Sequence, residues 1–338
     1  MIWRIGLILA AIVVAAALVA GCGGATSGPG SAVIGPSGGR LIAGGVIVDV
    51  PPGALPAEFT LVVAPLSAAQ VPIPPGGLAV ITAAQFEPDG LAFALPVTIT
   101  FPLNARLPAG QTLPLRWVQS SAWQDSGFLA VVSGDGRTAV ANVSHFSVYG
   151  VFGDYAPLKV GASWTYHRTV QTTPAGGAPN PPEISTVTAT ITGTQDVGGL
   201  TSYVWSESDP SNLKLFLQRS DTELLLTGVE PPGAGIQVVT PPARLLMLPP
   251  APGQTWQVTL PAPLGAAAQA LVTAETITVG AGSFDTMRAQ FTAESPAQGE
   301  MDIWFAPQVG PVKWQETAVQ PGVQTTVTEM DLMSYSIP

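Results

Sequence analysis

Phe86-Glu87-Pro88-Asp89-Gly90-Leu91-Ala92-Phe93-Ala94-Leu95-Pro96-Val97-Thr98-Ile99-Thr100-Phe101-Pro102 holds, in miniature, the pattern that decides the fold. Its turn, Glu87-Pro88-Asp89-Gly90, stops a strand that the apolar run from Ala79 to Phe86 predicts, because Pro presets one turn dihedral and Gly takes the φ other residues resist. Past the turn, Val97, Ile99 and Phe101 alternate with Thr98 and Thr100, the period of two that puts one face of a strand on a core. Pro96 stands at the expected strand start, where a missing amide donor costs little.

The same grammar repeats outward. Val46, Val48 and Val50 alternate with Ile47 and Asp49 and run into Pro51-Pro52-Gly53; Phe59 to Val63 predicts the next strand. Leu115 to Trp123, Phe128 to Ser133 and Arg137 to Tyr149 bring the first half to about seven strands at turn spacing, the signature of a sandwich. Tyr155 to Tyr166 begins a new alternation, with Trp164 and Tyr166 on one face. Strands then recur at Ser185–Thr192, Thr201–Glu207, Leu213–Gln218, Thr222–Leu226, Gln254–Leu260, Ala268–Val279, Asp285–Thr292, Met301–Ala306, Pro311–Glu316 and Gln324–Tyr335. The Pro-rich gaps Pro174 to Pro182, Glu230–Pro242 and Pro249–Pro263 read as loops. No stretch after residue 22 sustains a helical apolar period. The fold class is therefore all-β, an N-terminal β-sandwich over residues 40–152 followed by a second antiparallel β domain over 153–338.

Upstream, Met1 to Val19 carries one charge, Arg4, and an apolar run from Ile5, then Val19-Ala20-Gly21-Cys22, with Cys22 the only cysteine. The run is shorter than the ~20 residues a bilayer span needs, and a lone thiol outside the cytoplasm has no disulfide partner. This order resembles the lipobox signal of bacterial lipoproteins. The resemblance implies cleavage of residues 1–21, lipidation of Cys22, and an extracytoplasmic place in a bacterial envelope, in the outer membrane if there is one. Acyl chains at ~0.8 kcal/mol per buried methylene would then make attachment effectively permanent. Residues 22–39, rich in Gly and Ser, read as a flexible tether.

The blocks VDVPPGALP, FEPDGLAFALPVTITFP and NVSHFSVYGVF resemble the ZU5 family over residues 35–152. ZU5 domains mostly mediate protein–protein contacts, so this resemblance implies a binding or scaffold module and a protein partner. It also implies one chemical alternative. His145-Phe146-Ser147 matches the tripeptide at which some ZU5-containing proteins cleave themselves, Ser147 attacking the Phe146 carbonyl with His145 moving the proton. The competing reading is a packed terminal strand with Phe146 and Val148 on one face and His145, Ser147 and Tyr149 on the other. The order GxSWTY, VGAGSFDTMR, IWFAPQVGPVKW resembles bacterial lipoprotein carriers with open antiparallel barrels, implying a second domain that is an open barrel or curved sheet. A helix filling the barrel, usual in carriers, is not found in this sequence.

Composition excludes several function classes. With 22 acidic against 12 basic side chains, a net charge of −10 and no basic cluster, neither nucleic acid nor anionic lipid is an electrostatic partner. Gly35-Pro36-Ser37-Gly38-Gly39 matches GxSxG formally, but no helix follows to make a nucleophile elbow. His145 and His167 are the only histidines and lie in different domains, so no metal site or cofactor is expected. Glu300 with Asp302, and Glu329 with Asp331, share strand faces and read as solvated sheet rather than Ca²⁺ ligands. Trp164, Tyr166, Tyr203, Trp205, Trp256, Trp304, Phe305 and Trp314 either fill the second domain's core or line a cavity for an apolar ligand.

Overall fold

The computed structural model describes residues 28–261, 267–293 and 299–338. The signal segment and Cys22 lie outside these residues. Strands β1 (Gly30–Ile34), β2 (Gly39–Ala43), β3 (Val46–Val50), β4 (Phe59–Leu66), β5 (Leu78–Glu87), β6 (Ala92–Pro102), β7 (Thr112–Gln119), β8 (Ala122–Val132), β9 (Thr138–His145) and β10 (Val148–Asp154) form one antiparallel sheet. Its order is β1-β4-β5-β10-β7-β8-β9-β6-β3-β2, so the two edge strands are neighbours in sequence. Across the edge, a Cβ added at Gly30 would meet that of Ala43 at 2.9 Å. The sheet has rolled until its ends touch, a flattened barrel around one core.

Alternation explains which residues fill it. Val46, Val48 and Val50 are buried between half-exposed Ile47 and Asp49, and Val97, Ile99 and Phe101 between Thr98 and Thr100. Phe86 packs on Phe101, Phe146 and Tyr149 at centroid distances of 6.2, 5.4 and 6.1 Å.

Four expectations need correcting here. The tether does not extend to residue 39, because β1 pairs with β4 through Ala32 and its neighbours, which gives the Gly/Ser-rich stretch a sheet edge to bond. Pro96 lies inside β6, where pairing with β9 skips between Ala92 and Val97 and no donor is called for. The run Leu115 to Trp123 is a hairpin, since Ser120 and Ser121 both take positive φ (51° and 63°), the tight-turn conformation that only their short polar side chains make tolerable. Arg137 to Tyr149 is likewise two strands: β9 pairs with β6 and β8, whereas β10 crosses to lie between β5 and β7.

The second sheet has twelve strands: β11 (Ser163–Pro174), β12 (Glu183–Val197), β13 (Leu200–Glu207), β14 (Lys214–Arg219), β15 (Glu223–Glu230), β16 (Gln237–Met247), β17 (Thr255–Thr259), β18 (Ala267–Val279), β19 (Gly282–Ala293), β20 (Gly299–Ala306), β21 (Gly310–Gln320) and β22 (Gln324–Ser336). The order β16-β15-β14-β13-β12-β11-β22-β21-β20-β19-β18-β17 again leaves consecutive strands at the edges. Trp256 on β17 donates its indole N–H to the Arg244 carbonyl of β16 at 3.0 Å, lacing the seam. β16 occupies part of the Pro-rich gap expected to be loop. Pro241 and Pro242 fit because β16 is an edge strand that owes no amide to a further neighbour. Among the described residues there is no α-helix, only a 3₁₀ turn at Ala68–Gln70.

The two barrels are clamped at their junction. Arg219 binds Asp154 (Nε to Oδ2, 2.8 Å) and donates to the Gly76 carbonyl, and the Gln308 amide donates to the Asp154 carbonyl. At Gly77 (φ +70°) a Cβ would stand 2.7 Å from the Asp221 carbonyl oxygen, so only glycine allows this approach.

Candidate functional site

The interior of the second barrel divides along its axis. At the end facing the first barrel it is filled. Trp164 and Trp205 stack at 4.7 Å, and the connector Ala156-Pro157-Leu158 plugs the base. Trp164 donates its indole N–H to the Val309 carbonyl at 2.6 Å, and the Tyr166 hydroxyl donates to the Pro311 carbonyl at 2.8 Å. What remains there is a void of about 30 Å³. Leu215, Leu245 and Trp314 border this void from above and the next space from below, forming a floor between them.

Above that floor the barrel is open. A cavity of about 320 Å³ reaches the rim loops at Ser211, Pro231 and Pro261, within the range of small-molecule sites. Its walls are aliphatic and thioether: Leu213, Leu226, Val229, Leu260, Met301 and Met330. Three charged side chains interrupt them, Arg168 on β11, Glu207 on β13 and Glu316 on β21. Cross-strand register explains why they point inward. Arg168 lies two residues beyond Tyr166, Glu207 two beyond Trp205, and Glu316 two beyond Trp314, so each shares the inward face of its aromatic.

The charges are not equivalent. Glu207 accepts from the Ser211 hydroxyl (2.5 Å) and the Trp205 indole N–H (3.3 Å). Burial pushes its carboxyl above the usual range, opposed by those bonds and by Arg168. Burial also raises Glu316, and its only counterweight is the charge of Arg168. No ion pair within 4.0 Å joins Arg168 to either carboxylate among the described residues. The cavity thus holds a cation and a carboxylate close enough to feel each other and too far apart to touch.

Of the eight aromatics singled out in sequence, Trp314 alone borders the open cavity. Trp164, Tyr166 and Trp205 fill the base, Phe305 borders the small void, Tyr203 packs against the core, and Trp256 laces the seam. Trp304 faces outward, its ring under Arg288 (5.1 Å) and Lys313 (5.7 Å). The carboxylate pairs on that outer face are engaged by the chain's own cations. Arg288 forks onto Asp302 (3.0 and 2.8 Å), and Lys313 binds Glu329 and Asp331.

Of the tripeptide His145-Phe146-Ser147, His145 ends β9 and Phe146 and Ser147 form the crossover to β10, so the three do not share one strand. Phe146 is fully buried, its carbonyl accepting from the Gly90 amide at 2.9 Å. The Ser147 hydroxyl donates to the Val118 carbonyl at 3.2 Å. The His145 ring packs edge-on against Trp117 and lies beside the Tyr149 hydroxyl, without a bond to Ser147. None of the three residues has positive φ. Ser37 sits exposed in the β1–β2 turn, where Gly38 (φ +73°) brings its α-carbon against the Val50 carbonyl.

No family model matches the chain, the ZU5 family included, and no curated protein matches. Among solved structures, a protein described as exported with a YmcC-like fold, from Bacteroides fragilis, aligns at 14% identity over 54% of this chain and 99% of its own, with a TM-score of 0.28. A protein described as a lipoprotein, from Parabacteroides distasonis, aligns at 14% over the same shares with a TM-score of 0.25. At these scores the likenesses carry no argument about what this chain does.

Proposed function

We propose that the chain is a lipid-anchored protein of the bacterial cell envelope whose second barrel binds an amphipathic small molecule, non-catalytically, while its first barrel serves as a rigid docking module. One observation carries the reading: the second barrel ends in an open, apolar-walled cavity above a floor of Leu215, Leu245 and Trp314. A barrel built only to be stable would not leave side chains such as Leu226 and Met330 facing unfilled space, because interiors pack to crystal density. The anchor rests on the sequence Val19-Ala20-Gly21-Cys22. The scaffold role of the first barrel rests on the ZU5 resemblance and on its filled core, which leaves only surfaces to work with.

Native mass spectrometry on protein purified from its own envelope tests the binding role. A retained apolar adduct is the expected result, and an adduct-free chain would remove it. For the anchor, Cys22→Ser is expected to leave the membrane fraction and to stop incorporating labelled palmitate.

A further inference from the structure

The cavity's polar groups say which amphiphile it suits. Arg168 and Glu316 both border it, on strands β11 and β21 that are separated in the sheet only by β22. Neither makes a hydrogen bond or a close ion pair with another described residue, whereas Glu207 is already held by Ser211 and Trp205. A guanidinium offers donors only and a carboxylate acceptors only. The group that satisfies both at once must therefore accept on one side and donate on the other.

Charge narrows this further. A ligand anion drawn to Arg168 would also face Glu207 and Glu316, and a ligand cation drawn to Glu316 would face Arg168. In a wall otherwise made of Leu, Val and Met, such like-charge approaches are poorly screened. Tyr166 is fully buried below the cavity, with its hydroxyl committed to the Pro311 carbonyl.

We infer that the cavity selects an amphiphile with a neutral hydrogen-bonding head, an alcohol or amide that accepts from Arg168 and donates to Glu316, over chain-matched anions and cations. The inference rests on the binding role proposed above and adds to it a class of ligand. The apolar tail lies along Leu226, Leu260, Met301 and Met330, which brings the head to the two charges.

Competition among three twelve-carbon probes on the full chain, read by native mass spectrometry, tests it: 1-monolauroylglycerol, dodecanoate and protonated dodecylamine. The neutral ester is expected to outcompete each ion by about tenfold, the cost of leaving one polar group unpaired. Glu316→Gln should then raise dodecanoate relative to the ester, and Arg168→Met should raise dodecylamine, each by about tenfold. The melting temperature of each variant reports that it is folded. Binding of none of the three would overturn the binding role itself. Dodecanoate or dodecylamine matching the ester on the unaltered chain, or a ranking unmoved by both substitutions, would overturn the head-group inference and leave the binding role standing.

Discussion

The two barrels are built alike and end differently. Each is one antiparallel sheet rolled until strands consecutive in sequence meet at a seam, β1 with β2 in the first and β16 with β17 in the second. In the ten-stranded barrel, Phe86, Phe101, Phe146 and Tyr149 meet in the middle and are buried almost completely. Twelve strands enclose a wider space, since diameter grows with strand number. Aromatics span it at the base, and the Leu and Met side chains above do not reach across. Two added strands thus separate a solid core from a vessel.

The contrast is broken most forcefully in the solid half. Phe86→Ala should cost about 3–5 kcal/mol, because rings on three sides are left facing a void that cannot collapse. Leu226→Ala should cost about 2 kcal/mol, since it enlarges a space already open. Equal losses in denaturant titration would mean that the barrels are packed alike. At the junction, Arg219→Ala strands an Asp154 carboxylate that is about four-fifths buried. A loss of about 1–3 kcal/mol is expected, with unfolding resolving into two transitions as the barrels uncouple. A single unchanged transition would show that the clamp does nothing.

A milder contrast appears with pH. Asp154, Glu207 and Glu316 are all raised by burial. Between the ordinary carboxylate range of the unfolded chain and these raised values, the folded state binds more protons, so stability increases as pH falls. That contribution is fully present below the unfolded values and is lost as pH rises through the folded ones. The melting temperature should therefore rise slightly as pH falls from 7 toward the ordinary carboxylate range, and Glu316→Gln should flatten the rise. A fall over that interval would reverse the sign of the argument. The smallest expected effect is none: the chain and its Ser147→Ala variant should both run as one band in denaturing gels, given a Ser147 hydroxyl turned to Val118. Two fragments in the parent chain alone would revive self-cleavage.

The two barrels also show what a sequence does and does not display. Period-two alternation located most strands, because the inward face is apolar almost everywhere. It merged β7 with β8 because the Ser120-Ser121 turn lacks the usual Gly or Asn. It passed over β16 because Pro241 and Pro242 forbid a central strand but not an edge. The cavity was half legible. The aromatics were visible, but whether they fill a barrel or line it depends on how far apart the walls stand, which no local pattern records. The charged rim did leave a trace: Tyr166-x-Arg168, Trp205-x-Glu207 and Trp314-x-Glu316 each place a charge on an aromatic's own face. A charge in phase with a core residue belongs inside.

One titration bears on the vessel most directly. N-phenyl-1-naphthylamine, a neutral fluorophore that brightens when it leaves water, is added to the full chain and to Met330→Trp, whose larger side chain projects into the cavity. The account predicts one saturable site in the first, lost in the second, with melting temperatures that agree to within a few degrees because the added ring occupies empty space. Equal binding by both chains, or no saturable binding by either, would contradict it.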